Sequence, residues 1–346
     1  MFTEMMETLR RPDVKPKLWM ADCELILGTK ENLDQCIDEC INAPLKAYGL
    51  DLETTGLDQR VFDGRTRDTI VGVCLAPTKD KGYYFPVGHQ EGAEHNIPWR
   101  IMGTALERLL DLSVESSPVF HNAGFDQEFL EFNGFKERLG EARWDSRKGW
   151  HDTLILRYLL NPRDKGGRGL KHLSNVLLGR EMIELGDLMP NAPDKNYSKL
   201  DPSWEPCVLY ASADAMNTLG IWEVLYNEYV ETPQHSALIY TLERGCLLAT
   251  RFMHRNRVYI DRETALTYSQ QGQKLWFESL VEVLDGASEL LGRNVTPNYI
   301  KILKGELKGD NKFDPMEVEG MSYKVRVDEA RKEASRLYVE DKTVVV

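Results

Sequence analysis

The chain has 346 residues, 42% hydrophobic and 9% aromatic, enough for a buried core and, by length, for two domains. No apolar run approaches the roughly 18 residues of a membrane span, and the opening MFTEMMETLRRPDVKPK lacks the apolar centre of a signal peptide, so a cytoplasmic protein with no membrane attachment is expected. A net charge of −12 argues against a stand-alone polyanion binder; it implies weak nucleic-acid affinity helped by a partner, or acidity that serves solubility alone.

In chain order, residues 46–54 (KAYGLDLET) read as a strand ending in polar residues. Two further β-rich runs, 69–77 and 82–89, are separated by the charged turn KDKG and complete a meander. Residues 97–112 carry helical periodicity with Pro98 near the start. A short apolar strand at 118–122 leads into a helix over 124–132, which sets Asp126 near a helix N-terminus. The run DTLILRYLL follows an N-cap at Asp152 and stops at Asn161-Pro162. LKHLSNVLLG is a helix ending on Gly179, 186–203 is a proline-rich loop, and 204–230 is one long helix. After Pro233 come an apolar helix (236–256), an extended RVYID (257–261), a long helix (262–291) and a mixed-charge stretch (300–346). A composition change near 233 sets the domain boundary, with an α/β domain over 1–233 and a smaller helical region over 234–346. The cysteines at 23, 36, 40, 74, 207 and 246 form no C-x-x-C or zinc spacing, so free thiols are expected, with Cys36 and Cys40 on one helix face.

The informative residues are acids. D-x-E occurs at Asp22/Glu24, Asp51/Glu53 and Asp261/Glu263, but only the middle pair sits on an apolar strand, where residues i and i+2 face one side. Y-x-x-x-D occurs at Tyr197/Asp201, in a proline-bounded loop, and at Tyr210/Asp214, mid-helix, where i and i+4 share a face. N-x-x-x-D occurs once, at Asn122/Asp126. Any one of these acids could be a solvated surface carboxylate. Together, Asp51, Glu53, Asp126 and Asp214 make the ligand set of two Mg²⁺ or Mn²⁺ ions roughly 4 Å apart, because clustered carboxylates repel unless cations sit among them.

The strings DLETTG, HNAGFDQEFL, HDTLILRYLLNP and YASADAMNT resemble the motifs of the DEDD, or DnaQ-like, 3′→5′ exonucleases, and the tyrosine of the last string resembles the DEDDy branch. Residues 46–225 are similar to the proofreading domain of bacteriophage-type family A DNA polymerases. The resemblance implies an RNase H-like mixed sheet flanked by helices. It implies that Asp51, Glu53, Asp126 and Asp214 hold two ions and that Tyr210 orients the attacking water. It further implies that Thr54 and Leu57 touch the terminal nucleotide, that Asn122 and Phe125 contact the frayed strand, and that Arg168, with Lys171 beside it, approaches phosphate. His121 and His151 flank motifs, but Tyr210 stands where the histidine branch has its histidine, so both are read as structural.

LERGCLLATRFMHRNRVYIDRETAL resembles the start of a family A thumb, with His254 and Arg257 in place of the usual glutamate and glycine. No palm or fingers motif follows. The expectation is a metal-dependent 3′→5′ DNA exonuclease acting on single-stranded or frayed 3′ ends, in the host cytoplasm if phage-encoded. It fits either part of a polymerase or a separate proofreading subunit that docks on a polymerase polypeptide. The rivals are an RNA-trimming enzyme resembling RNase D and a degenerate module that only positions a polymerase.

Overall fold

A computed structural model describes residues 12–57, 68–135, 144–145, 149–163, 167–190, 192, 195–232, 236–256, 261–291, 315–318 and 321–324. Strand β1 (Glu24–Leu27) and helix α1 (Lys30–Ile41) precede the expected meander. A capping box between Thr29 and Asn32 starts α1, which buries Leu33, Cys36, Ile37 and Cys40 along one face. The meander is β2 (Ala47–Thr54), β3 (Ile70–Thr78) and β4 (Lys81–Pro86). Helix α2 (Trp99–Leu109), β5 (Ser117–Phe120), α3 (Ala123–Leu130), β6 (His151–Asp152) and α4 (Thr153–Leu160) follow.

These strands form one six-stranded sheet in the order β1-β4-β3-β2-β5-β6. β3 is antiparallel to both neighbours, while β1 with β4, β2 with β5, and β5 with β6 are parallel. This mixed sheet with helices on both faces is the RNase H-like α/β arrangement expected from the motifs. Leu50 and Leu52 of β2 join α1 and α2 in one buried cluster. Asp51 and Glu53, alternating with them, point to the opposite face.

That opposite face is covered by a long helix. After α5 (Leu170–Leu173), which runs on as a π-helical stretch to Leu178 and ends on left-handed Gly179, the chain makes a single-turn helix α6 (Leu185–Leu188) and a 3-10 turn (Tyr197–Lys199) within the expected loop. Helix α7 (Glu205–Glu231) then crosses the sheet. From Pro206 to Trp222 its one charged residue is Asp214. α7 lies so close to the sheet that a Cβ at Gly49 of β2 would run into the Ala215 carbonyl oxygen, and one at Gly82 of β4 would meet Met216.

Helix α8 (Ala237–Asn256) lies beyond the expected boundary near 233, yet the first compact unit runs to Asn256. Its polar side chains tie it there. The buried Arg251 pairs with Glu131 at 2.7 Å and donates to Gln127 at 2.8 Å. Arg244 donates to the Trp150 carbonyl, and the Tyr240 hydroxyl accepts the Asp152 N–H. The second unit holds α9 (Arg262–Leu291), capped by Asp261, and an antiparallel pair, β7 (Pro315–Val318) and β8 (Met321–Lys324). The region expected to be helical thus also contains strands. Residues 257–260 of the expected extended piece, and 300–314 and 325–346, lie outside the described residues. Among the described residues no helix is long and apolar enough to cross a membrane.

Candidate metal centre

Three chain segments converge on the α7 face of β2. Asp51 and Glu53 lie just past the point where β5 stops pairing with β2, at Gly49. There the free edge of β2 is taken by α3 instead: the Leu52 N–H donates to Asp126 Oδ1 at 3.1 Å. Asp126 is thereby set against the backbone between the two β2 acids. A register shift between β2 and β3 at Glu53/Thr54 marks the end of the strand; such irregularities re-aim side chains at sites. The fourth acid, Asp214, arrives on α7.

The electrostatics record the crowding. Burial, then Asp126, Asp214 and Glu53, push the Asp51 carboxyl far above the ordinary range. Glu53 is raised by burial and by Asp214, against a pull from the Lys171 ammonium. Burial raises Asp126 while N–H groups, including that of Leu52, pull it back. Asp214 is pushed up to about 7 by burial, with Lys171 opposing. Burial, followed by Asp214, Glu53 and Asp51, raises the Tyr210 hydroxyl, so it is protonated at neutral pH.

The donor set fits a divalent cation. Asp51, Glu53 and Cys74 place one ligand atom each within 4.8 Å of one another. Asp214 Oδ1 is buried with no hydrogen-bond partner, an arrangement that costs free energy unless a cation or water completes it. Hard carboxylate oxygens are the ligands Mg²⁺ and Mn²⁺ take.

Around the acids, Tyr210 is held on its ring. Lys171 Nζ lies 4.8 Å from its centroid, and the Tyr197 ring lies 5.6 Å away. Lys171 is itself fixed by the Ile183 carbonyl at 2.8 Å and by Glu184 at 3.0 Å. Tyr197, buried, donates to the Cys207 carbonyl at 2.7 Å.

The expected strand contacts are more dispersed. Thr54 Oγ1 donates to the Gly56 carbonyl at 2.7 Å, and Leu57 is 83% exposed. Asn122 is exposed and left-handed (φ 70°) at the N-cap of α3, a conformation asparagine tolerates. Phe125 is half-buried with its ring 4.8 Å from that of Phe129. The Arg168 guanidinium donates to the Pro162 carbonyl at 3.0 Å and lies over Tyr158. His121 meets Thr153 Oγ1 at 2.7 Å and is lowered to about 4 by burial. His151, lowered to about 3 by burial, packs among Trp222, Tyr226 and Tyr240. Both rings are therefore neutral at pH 7.

Two neighbours of the site escape sequence reading. Cys74 faces it because the β2–β3 register sets it opposite Asp51; only the pairing reveals that. Asp152, expected as a cap of α4, also accepts from Ala123 N at 2.9 Å and Asn122 N at 3.3 Å, so one buried carboxylate caps α3 and α4 together.

No protein-family model matches the chain. It is 30% identical over 225 residues to a DNA polymerase I of Chloroflexus aurantiacus, a match that covers 64% of this chain and 21% of that protein. The chain therefore spans about a fifth of that relative. Among solved structures it is similar to NrnC of Brucella melitensis with bound Mg²⁺, at 18% identity and a TM-score of 0.44 over 69% of this chain and 98% of that one. It is also similar to the POL domain of Pol1 from M. smegmatis in complex with DNA primer-template and dNTP, at 14% identity and a TM-score of 0.45 over 92% of this chain and 45% of that one.

Proposed function

We propose that the chain is a metal-dependent 3′→5′ exonuclease of DNA ends, the proofreading part or subunit of a family A-type polymerase. The observation that carries this reading is the convergence of Asp51, Glu53, Asp126 and Asp214 on one buried point beside Tyr210, with Asp214 Oδ1 left unpartnered. Similarity to a DNA polymerase I supports the choice of DNA and of a polymerase partner.

Two divalent cations, when bound, supply the Lewis acidity that favours attack by water and departure of the 3′ oxygen. Asp51, Glu53 and Asp214 would hold them, and Asp126 would offer the oxygen not taken by the Leu52 N–H. Protonated Tyr210 would orient the attacking water by a hydrogen bond; it is no general base. Water adds to phosphorus, the bond to the 3′ oxygen breaks, and a nucleoside 5′-monophosphate leaves a shortened strand. Exposed Leu57, Asn122 at the mouth of α3 and half-buried Phe125 would hold the frayed end by packing, hydrogen bonding and stacking. Thr54 would contact the terminal nucleotide, and Arg168 and Lys171 would supply local positive charge to a chain of net −12.

The test is incubation with 3′-labelled single-stranded DNA and the matching RNA, with Mg²⁺ and with EDTA. Release of labelled mononucleotide from DNA in Mg²⁺, and none in EDTA, is expected. Preference for RNA would move the chain to the RNA-trimming class, and no release from either would leave a polymerase-positioning module.

A further inference from the structure

The carboxylate centre contains one atom that a hard-cation nuclease has no use for. Cys74 pairs with Asp51 across the β2–β3 ladder, is fully buried, and shares the face on which α7 lies. Directly opposed residues put their side chains on the same side of a sheet. The Cys74 Sγ and an oxygen from each of Asp51 and Glu53 all lie within 4.8 Å of one another. Asp214, 8% exposed, lies near enough to raise both Asp51 and Glu53 electrostatically, and its buried Oδ1 has no hydrogen-bond partner.

We propose that this centre also binds a thiophilic divalent cation, Zn²⁺ or Cd²⁺, through Asp51, Glu53 and the Cys74 thiolate. The proposal rests on the metal-centre reading above. Mg²⁺ demands oxygen ligands at about 2.0–2.1 Å in an octahedron and gains nothing from sulfur. Zn²⁺ accepts thiolate at about 2.3 Å and carboxylate at about 2.0–2.2 Å in a tetrahedron. Those bond lengths give ligand–ligand edges of about 3.5 Å, so side-chain rotation of about an ångström closes the cluster around the ion. Binding releases the thiol proton to water. Because Asp51 and Glu53 are shared, the soft ion and the working hard ion exclude each other: trace Zn²⁺ or Cd²⁺ inhibits by occupying the centre.

The experiment uses the full chain with Cys23 and Cys246, its half-buried and exposed thiols, changed to serine, as parent. Cd²⁺ alone is titrated in, and thiolate-to-metal charge-transfer absorbance is followed together with calorimetry. The parent is expected to develop the absorbance, and Cys74→Ser to lose it and bind Cd²⁺ at least tenfold more weakly. Cys74→Ala, checked by circular dichroism for folding, repeats the loss with a different side chain. Excess Mg²⁺ is expected to shift the parent's titration to higher Cd²⁺. Equal absorbance and affinity with and without the Cys74 thiol, or a titration indifferent to Mg²⁺, overturns the proposal. None of these readouts depends on DNA cleavage, which is measured separately in Mg²⁺ without Cd²⁺, so failure of the soft-metal site and failure of the exonuclease reading are told apart.

Discussion

Replacing Asp214 by asparagine removes a buried charge and keeps the shape. In the cation-free protein, burial raises this carboxyl from its ordinary 3.8 to about 7. A raised acid stabilises the fold below its unfolded value and loses that contribution as pH climbs through the folded one. The loss therefore begins near pH 4 and is complete just above pH 7. The rise from 3.8 to about 7 corresponds to roughly 4 kcal/mol. An asparagine amide carries no charge and can donate to the neighbouring carboxylates, so Asp214→Asn should be more stable than wild type in EDTA at pH 8. Between pH 5 and pH 8 the gap should widen by roughly 2–3 kcal/mol. Urea unfolding at the two pH values measures it. Added Mg²⁺ should then narrow the gap at pH 8 by stabilising wild type through ligand linkage. A gap that is flat with pH, or an asparagine variant that is the less stable protein at pH 8, would refute the idea that Asp214 is a charge held in place for a cation.

Asp51→Ala should cut DNA hydrolysis on the order of 10³-fold or more, and Tyr210→Phe less, since it positions water and binds no metal; single-turnover rates measure both. Asp22→Ala and Asp261→Ala serve as controls, one exposed and the other capping α9, and equal damage there with folding intact would show the wrong D-x-E had been chosen. Gly49→Ala should destabilise the fold by about 1–3 kcal/mol, because α7 must retreat from β2 to admit the methyl group; a thermal melt detects it, and an unchanged midpoint would mean the close approach is absent. Mismatched primer ends should be trimmed faster than matched ones, since unpairing a matched step costs roughly 1–2 kcal/mol. Gel assays that find equal rates on both would argue against proofreading.

The candidate site is legible in the sequence where local periodicity decides placement. Alternation along β2 put Asp51 and Glu53 on one side, helical spacing in α7 aligned Tyr210 with Asp214, and the turn from β5 into α3 delivered Asp126. Asp152 and Gly179 read correctly as helix ends because capping is a local matter. What escaped depends on contacts distant in sequence. β1 is four residues long and none of its side chains is fully buried, so no run of alternation marks it; its place comes from parallel pairing with β4. Cys74 enters the centre through strand register. Tyr197 and Lys171 meet the Tyr210 ring only after the connecting segment between α4 and α7 has folded back. A change of composition near 233 suggested a boundary, but the buried partners of Arg244 and Arg251 hold α8 in the first unit.

The shared cap at Asp152 has a consequence for how this chain responds to random substitution. One carboxylate outside the four-acid cluster fixes the start of the helix that carries Asp126, and its own backbone N–H is received by Tyr240 of α8. Loss of that carboxylate would free the α3 N–H groups and let Asp126 drift while all four clustered acids stayed intact. A genetic screen scored on nuclease output would rank Asp152 beside the ligands, and tyrosine changes at 240 close behind. The boundary between scaffold and active site would then fall, for selection, well outside the residues that ever touch a phosphate.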